Sequence, residues 1–344
     1  MKNLSLNKLV AYCLTASLCL TTTVFAQVSE KQVDKMFAPK GTYRSPFKKV
    51  SEVALTSVNL RFKVATSEKS VKRDAGSAIS WAFLEGVDDA LFQEITDEYY
   101  KRLAEKLQSR GLTVSDKYKE SKHYATLLEK NASNERQTYK KNWGVANVYT
   151  ANKGPYIEFP VMMMGAHSRL ANELKYPIGQ VLLTIDFAYI AQSISKDTEY
   201  GFLSSSSNTV TTKTKATIYP VITVEAVTEG VVMRGDGSYT LFAGDNYGFC
   251  NAIIKNGQGV VSQAQYAEKI ESAKGMPESM KKFKSDVLGD ITAIFSGGLV
   301  GNGRATGEFT FNVKANPEKY KAAVLDALDK YNDYLMAYIS FNNN

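Results

Sequence analysis

His123 and His167 are the only histidines in the chain, so a hydrolytic triad or a zinc centre that uses imidazole must draw on them. His123 lies in ESKHYATLL, a stretch of helical character on which it faces solvent. His167, in MMMGAHSRL, is followed by Ser168 and Arg169 but lacks the glycine elbow of a serine hydrolase. It is expected in a loop or at a helix start. Carboxylate chemistry needs two acids brought together from separate strands. Asp88 with Asp89, Asp97 with Glu98, and Asp326 with Asp329 fit helix starts or polar helix faces instead. Asp186 is the single acid inside a strongly apolar strand and the first candidate among the acids, although alternation with Thr184 and Ala188 places it on the outward face. Cys250, in YGFCNAII, reads as an inert buried thiol.

Phosphate chemistry is suggested by GGLVGNGRATG, residues 297–307. A phosphate cradle needs a strand leading into the glycines and a helix leading out, with its free N–H groups aimed at the anion. Here DVLGDITAIF reads as a helix ending before the glycines and GEFTFNV as a strand after them, so the loop is a helix-to-strand connection. Arg234-Gly235-Asp236 spells an integrin-binding tripeptide, yet Asp236-Gly237 is what a tight hairpin turn requires. The 20 tyrosines, with Trp81 and Trp143, are assigned to core packing. No catalytic residue, cofactor-binding residue or metal ligand is assigned, no cofactor is implied, and no strong small-molecule signal is present.

What must position any site begins with an export leader. Lys2 and Lys8 precede the apolar run Leu9 to Leu20, and Val24-Phe25-Ala26 supplies a cleavage site. Residues 1–26 are therefore expected to be removed, leaving about 318 residues in the periplasm of a Gram-negative-type envelope or outside the cell. Neither cysteine in the leader follows a small residue, which argues against lipidation. Without the two leader lysines, 40 basic residues face 35 acidic ones. The excess is spread out, and Lys69 to Arg73 and Lys281 to Lys284 each neighbour an acid, so nucleic acid is not an expected partner. One remaining cysteine permits no internal disulfide, which demands a core large enough to hold without one.

Residues 27–49 lack a strong period and suit an arm lying over the domain; residues 50–344 read as a single α+β domain, with a possible sub-boundary near 150–180. In VALTSVNLRFKV, Val58, Leu60, Phe62 and Val64 alternate with Asn59, Arg61 and Lys63, the period of a strand with one buried face. ATSEKSVKRDAGS is a loop or an extension of that strand, and AISWAFL a short strand or a helix start. Leu91, Ile95, Tyr99, Leu103 and Leu107 mark a helix over 88–110 that Gly111 terminates. A short strand at Leu112 to Val114, helices near 119–130 and 134–141 and a strand at Val145 to Tyr149 follow. The middle of the chain is strand-rich: QVLLTIDFAYIAQS pairs with TVTTKTKATIYPVITVEAVT, whose Pro220 favours an edge or a bulge. Asp236-Gly237 and Asn256-Gly257 each predict a hairpin. Three helices are predicted to finish the chain: 262–274, capped by Ser262 with Gln265; one opened by Pro277; and one capped by Asn316 that buries Tyr320, Val324, Leu328, Tyr331, Leu335 and Tyr338. The expected class is α+β, with a mixed or mostly antiparallel sheet, long strands in the middle, and packing helices that include the amphipathic carboxy-terminal one.

From VALTSVNLRFKV through LFQEITDEYYKRLAEKLQSRGLTVSD to WGVANVYTA, about a third of the chain, the order of elements resembles the periplasmic domain of the curli-secretion lipoprotein family and the amino-terminal domain of the Tol-associated β-propeller protein. The resemblance implies an envelope α+β domain. Secretion-family members are lipidated and insert a hairpin into an outer-membrane pore; this chain lacks the lipid-accepting cysteine, and its hairpin at 180–232 has no clean lipid-facing band. The leading expectation is a non-enzymatic envelope binding or assembly module whose partner is an envelope protein or a second copy. The alternatives are a subunit of an outer-membrane secretion or assembly complex, with outer-membrane association, and a carboxylate-dependent hydrolase.

Overall fold

The computed structural model describes residues 28–37, 47–72, 76–140, 143–157, 164–199, 209–226, 237–244, 249–255, 257–272 and 305–341. In chain order the elements are α1 (Glu30–Met36), β1 (Glu52–Lys72), β2 (Gly76–Glu85), α2 (Asp89–Ser109), β3 (Thr113–Val114), α3 (Lys122–Asn131), β4 (Ala132–Ser133), β5 (Gln137–Lys140), β6 (Gly144–Thr150), β7 (Tyr156–Ile157), α4 (Met164–Leu174), β8 (Ile178–Glu199), β9 (Thr209–Val224), β10 (Tyr239–Ala243), β11 (Phe249–Ile253), β12 (Val260–Ser262), β13 (Ala267–Ser272), β14 (Ala305–Ala315) and α5 (Pro317–Phe341). The class is α+β: a mixed twelve-stranded sheet carries the long strands at its centre, and helices including α5 pack on it.

Strand β1 organises the sheet. Phe62 pairs with Asn147 of β6 on one edge and, in parallel, with Ile185 of β8 on the other. Three residues later Ala65 still pairs with β6 through Val145, but its other partner is now Phe83 of β2. Above Phe62, then, β2 takes the place of β8 beside β1, and β8 leaves with β9 as a long antiparallel hairpin. The sheet forks at this level. Strand β2 is joined in parallel register by β14, from Ala305 opposite Gly76 to Lys314 opposite Glu85.

The helices follow the strands. Asp88 caps α2 by accepting from the Leu91 N–H at 2.9 Å, and Gly111 leaves the helix with φ +78°. Asn316 caps α5, accepting from Lys319 N at 3.1 Å, and Pro317 opens it. Both helices drop onto the same side of the sheet and run parallel, joined by Lys321–Glu94, Arg102–Asp329 and Lys106–Asp333, each pair 227 positions apart. The units β2–α2 and β14–α5 thus lie side by side in matching register. Their seam closes at Gly86 (φ +81°), where an added Cβ would meet Ala315 O at 2.6 Å. The core between sheet and helices includes Phe62, Ile95, Tyr99, Leu103, Tyr331 and Leu335. A smaller core lies beneath α3 and α4.

The amino-terminal arm contains a helix. In α1, Gln32 Oε1 accepts from Ser29 N, and Phe37 beyond it packs edge-on against Tyr331 and Tyr338 of α5. Three expectations are corrected. The described part of 262–274 holds the end of β12 and all of β13 instead of a helix: Ser262 Oγ donates to Asp326, Tyr266 is buried with its hydroxyl on Phe187 O, and pairing of β13 with β14 overrides the local capping pattern. Residues 137–140 pair with β6 instead of extending a helix from 134, and Gly144 (φ +123°) fits that hairpin because a Cβ there would strike Ala65 O at 2.0 Å. Gly257 does adopt a positive φ of 71°, but its flanking strands pair elsewhere, β11 with β10 and β12 with β9. The leader, the tripeptide 234–236, the helix expected after Pro277 and residues 297–304 lie outside the described residues.

Candidate functional site

The densest chemistry sits at the fork. Lys63 Nζ donates to Asp186 Oδ2 at 2.7 Å and to Glu225 Oε1, and lies 4.4 Å from the centroid of the Trp143 ring. Trp143 Nε1 donates to the other oxygen of Glu225 at 2.9 Å. Asp186 Oδ2 also accepts from Thr66 Oγ1 at 2.9 Å, and Oδ1 from Ala188 N at 3.2 Å. Beside them, Arg61 donates through Nε to Thr184 Oγ1 and through a terminal nitrogen to Gly237 O, with its guanidinium 5.3 Å from the same indole. Two cations and two anions make the cluster formally neutral.

Backbone irregularity brings these groups together. Lys63 and Thr66, three positions apart, reach the same carboxylate oxygen, which an unbroken period of two forbids. The β1–β6 register shifts between Lys63 and Ala65, and the β8–β9 register shifts between Asp186 and Ala188. Both bulges lie at the level where the sheet divides.

Asp186 requires a correction. It does lie opposite the apolar face of β8, but that side of the strand is covered as well, and Asp186 is only 9% exposed, Lys63 3%. Thr184 and Arg61 are buried with it. Burial alone would lower the Lys63 pKa; the two carboxylates outweigh it and hold the ammonium above its ordinary value. Burial pushes the Glu225 carboxyl up, Lys63 pulls it back and Asp186 adds to the rise. Burial also lowers Arg61. Each oxygen of both carboxylates already accepts a hydrogen bond. These bonds tie β1 to β8 and to the residue that follows β9 at the fork.

Above the fork the β8–β9 hairpin crosses the face of β2, where Ser80 Oγ donates to Gln192 Oε1 at 3.0 Å. Its inward side buries Ala188, Ile190 and Ile218. On its outward side Tyr189 and Tyr219 are direct cross-strand partners, with ring centroids 6.2 Å apart and planes 26° apart. They are 61% and 51% exposed, the most exposed aromatic side chains among the large hydrophobics of the described residues. Pro220 stands beside the bulge on β9, whose far edge pairs, among the described strands, only with β12 over Ile222–Val224.

The remaining candidates stay apart from this cluster. His123 stands in the first turn of α3, 3.9 Å from Glu173, while His167 and Ser168 are buried in α4. Asp88 is a helix cap, Asp97 accepts from Gln93 and from Asn152 N, Glu98 and Asp329 hold Arg102, and Asp326 holds Lys330. Trp81 is core. The backbone of Cys250 lies in β11 and its side chain outside the described ones. Among the described residues no helix is long and apolar enough to cross a membrane, and no group of three His, Cys, Asp or Glu side chains could hold a metal. No protein-family model, curated protein or solved structure matches the chain.

Proposed function

We propose that this chain is an exported envelope protein that acts as a non-enzymatic binding or assembly module, and that the outward side of the β8–β9 hairpin docks a partner protein. The observation that carries the reading is the exposed cross-strand pair of Tyr189 and Tyr219. Aromatic pairs left in water on a rigid strand surface are the side chains that dominate protein interfaces. The element-order resemblance to envelope secretion and Tol-associated domains supports the same compartment. Beyond the tyrosines the outward side offers Ala191, Ser193 and Ser195 on β8 and Thr217 and Lys215 on β9. That composition suits a wet protein interface better than a lipid-facing band, so docking is preferred to insertion in an outer membrane. Lys215 and Pro220 disfavour strand-to-strand pairing with a second copy, which favours a different protein as partner. The hydrolase alternative is disfavoured because Asp186 and Glu225 are both committed to Lys63.

The test places a photo-crosslinking amino acid at position 219, and separately at the exposed Ile270 of β13, in cells that make the protein. One discrete envelope-protein adduct from position 219, none from 270, and its loss when Tyr189→Ala is added are expected. Each tyrosine should weaken binding by about 2 kcal/mol, or about 30-fold. No adduct, the same adduct from both positions, or an adduct only with a second copy refutes the reading.

A further inference from the structure

A groove of about 820 Å³ opens between the start of α2 and the β5–β6 hairpin, on the edge of β1 away from β8. That volume falls in the range of small-molecule sites. Its walls carry four carboxamides, Gln93, Asn134, Gln137 and Asn147, together with Tyr149. The charged groups of the walls are largely engaged with their own neighbours. Tyr149 donates to Asp89 at 2.8 Å, and Arg136 is held by Thr150 Oγ1 and Gly154 O.

The amides are not fully engaged. Gln93 Nε2 donates to Asp97 Oδ1 at 2.9 Å and to Thr150 O at 3.0 Å, which leaves its amide oxygen as the open valence. Gln137 Nε2 donates to Asn147 Oδ1 at 3.3 Å, while Gln137 Oε1 is buried with no hydrogen-bond partner. A buried acceptor without a partner is costly and uncommon. The rim adds a second irregularity: Asn152 and Lys153 are consecutive left-handed residues, φ +54° and +53°, held by Asn152 N donating to Asp97 Oδ1 at 2.6 Å. Strained non-glycine backbone concentrates where a ligand is held.

We propose that this groove binds a neutral, hydroxyl-rich ligand, an uncharged saccharide unit. A hydroxyl both donates and accepts, so it meets an amide whichever way the amide is turned. If Gln137 and Asn147 are both flipped, the lone acceptor becomes a lone donor and a hydroxyl still satisfies it. An anion is a poorer fit, because the two cations of the walls, Arg136 and Lys153, are matched by two acids, Asp89 and Glu135, and the Arg136 guanidinium is already held by Thr150 Oγ1 and Gly154 O. The ring of Tyr149, at the groove and packed from within by Phe62 and Phe92, offers a sugar an apolar wall. This site is separate from the hairpin, and its failure would leave the docking reading untouched.

The test is calorimetric titration of the leader-free chain with maltotriose, chitotriose and inorganic phosphate. At least one oligosaccharide should bind with Kd below about 10 mM, and Gln137→Leu and Asn147→Leu should each weaken it about tenfold. Ile270→Ala, in β13, should leave it unchanged. In case either leucine variant unfolds, the unsubstituted chain is also titrated by NMR, where the side-chain amide signals of Gln137 and Asn147 should shift with sugar. The proposal is overturned if neither sugar binds, if phosphate alone binds, if both variants bind as the parent does, or if those amide signals stay still while sugar binds.

Discussion

Replacing Lys63 by methionine removes the one cation that two buried carboxylates share. Truncating one member of a buried ion pair costs about 3–5 kcal/mol, because the partner stays behind unpaired. Here two partners stay behind with like charge, which puts the expected loss near the upper end at neutral pH. The variant can relieve it by taking up a proton. A carboxyl held above its unfolded value adds stability below the unfolded value and loses it as pH rises through the folded one, so the variant should strengthen toward acid. Each pH unit over which the folded variant holds one extra proton returns about 1.4 kcal/mol. The parent has the same sign through Glu225 on a smaller scale, because Lys63 pulls that carboxyl back. The raised pKa of Lys63 keeps its own contribution intact through neutral pH and releases it only above the lysine range. Urea unfolding followed by tryptophan fluorescence at several pH values measures this, since Trp143 lies over Lys63. The charge-balanced combination Lys63→Met/Asp186→Asn, which leaves the buried Arg61 with Glu225, should recover most of the loss, because no unmatched charge then stays behind. A loss under about 1 kcal/mol, or one that is flat with pH, refutes the cluster as a buried neutral unit.

Two glycines with nearly equal torsions separate conformational cost from steric cost. Gly111→Ala should lose about 1 kcal/mol, because φ is +78° and nothing lies within 4 Å of the new Cβ. Gly86→Ala should lose clearly more in the same denaturation series, because its Cβ meets Ala315 O at 2.6 Å and forces the β2–α2 and β14–α5 units apart. Phe37→Ala should cost about 3–5 kcal/mol and open the arm to limited proteolysis before the rest of the chain, since Phe37 is the ring that anchors α1 to α5.

Where a segment carried both a period and its boundary residues, the sequence was enough. Helix α2 is marked by its four-residue apolar spacing, Asp88 and Gly111, and α5 by Asn316, Pro317 and a stripe of tyrosine and leucine. Strands β1 and β8 follow from alternation, and β9 from its run of β-branched residues. The helix predicted over 262–274 fails because a capping pair is a local signal, and the buried Tyr266 with the β14 edge supplies a stronger non-local one. The segment at 134–141 fails likewise, since pairing with β6 outranks weak local helix preference.

The polar face of β1 was misread for a deeper reason. A period of two tells which residues share a side, not whether water reaches it. Arg61 and Lys63 look like solvated residues because they alternate with Leu60, Phe62 and Val64. Their partners Thr184 and Asp186 lie 123 positions away, and the remaining cover comes from Trp143, Glu225 and Gly237. No spacing rule links those segments. The groove hides in the same way, with Gln93 on a helix and Gln137 and Asn147 on a hairpin beyond it.

A purely apolar contact would hold the fork with less desolvation, but apolar contact is tolerant of sliding. One residue of slip in β8 would move Asp186 to the opposite side, leave Lys63 and Glu225 to face each other alone, and bury an unpaired carboxylate in the helical layer. The charged cluster therefore penalises every register but one at the point where β8 parts from β1. That is also where the direction of the β8–β9 hairpin, and with it the placement of Tyr189 and Tyr219, is set.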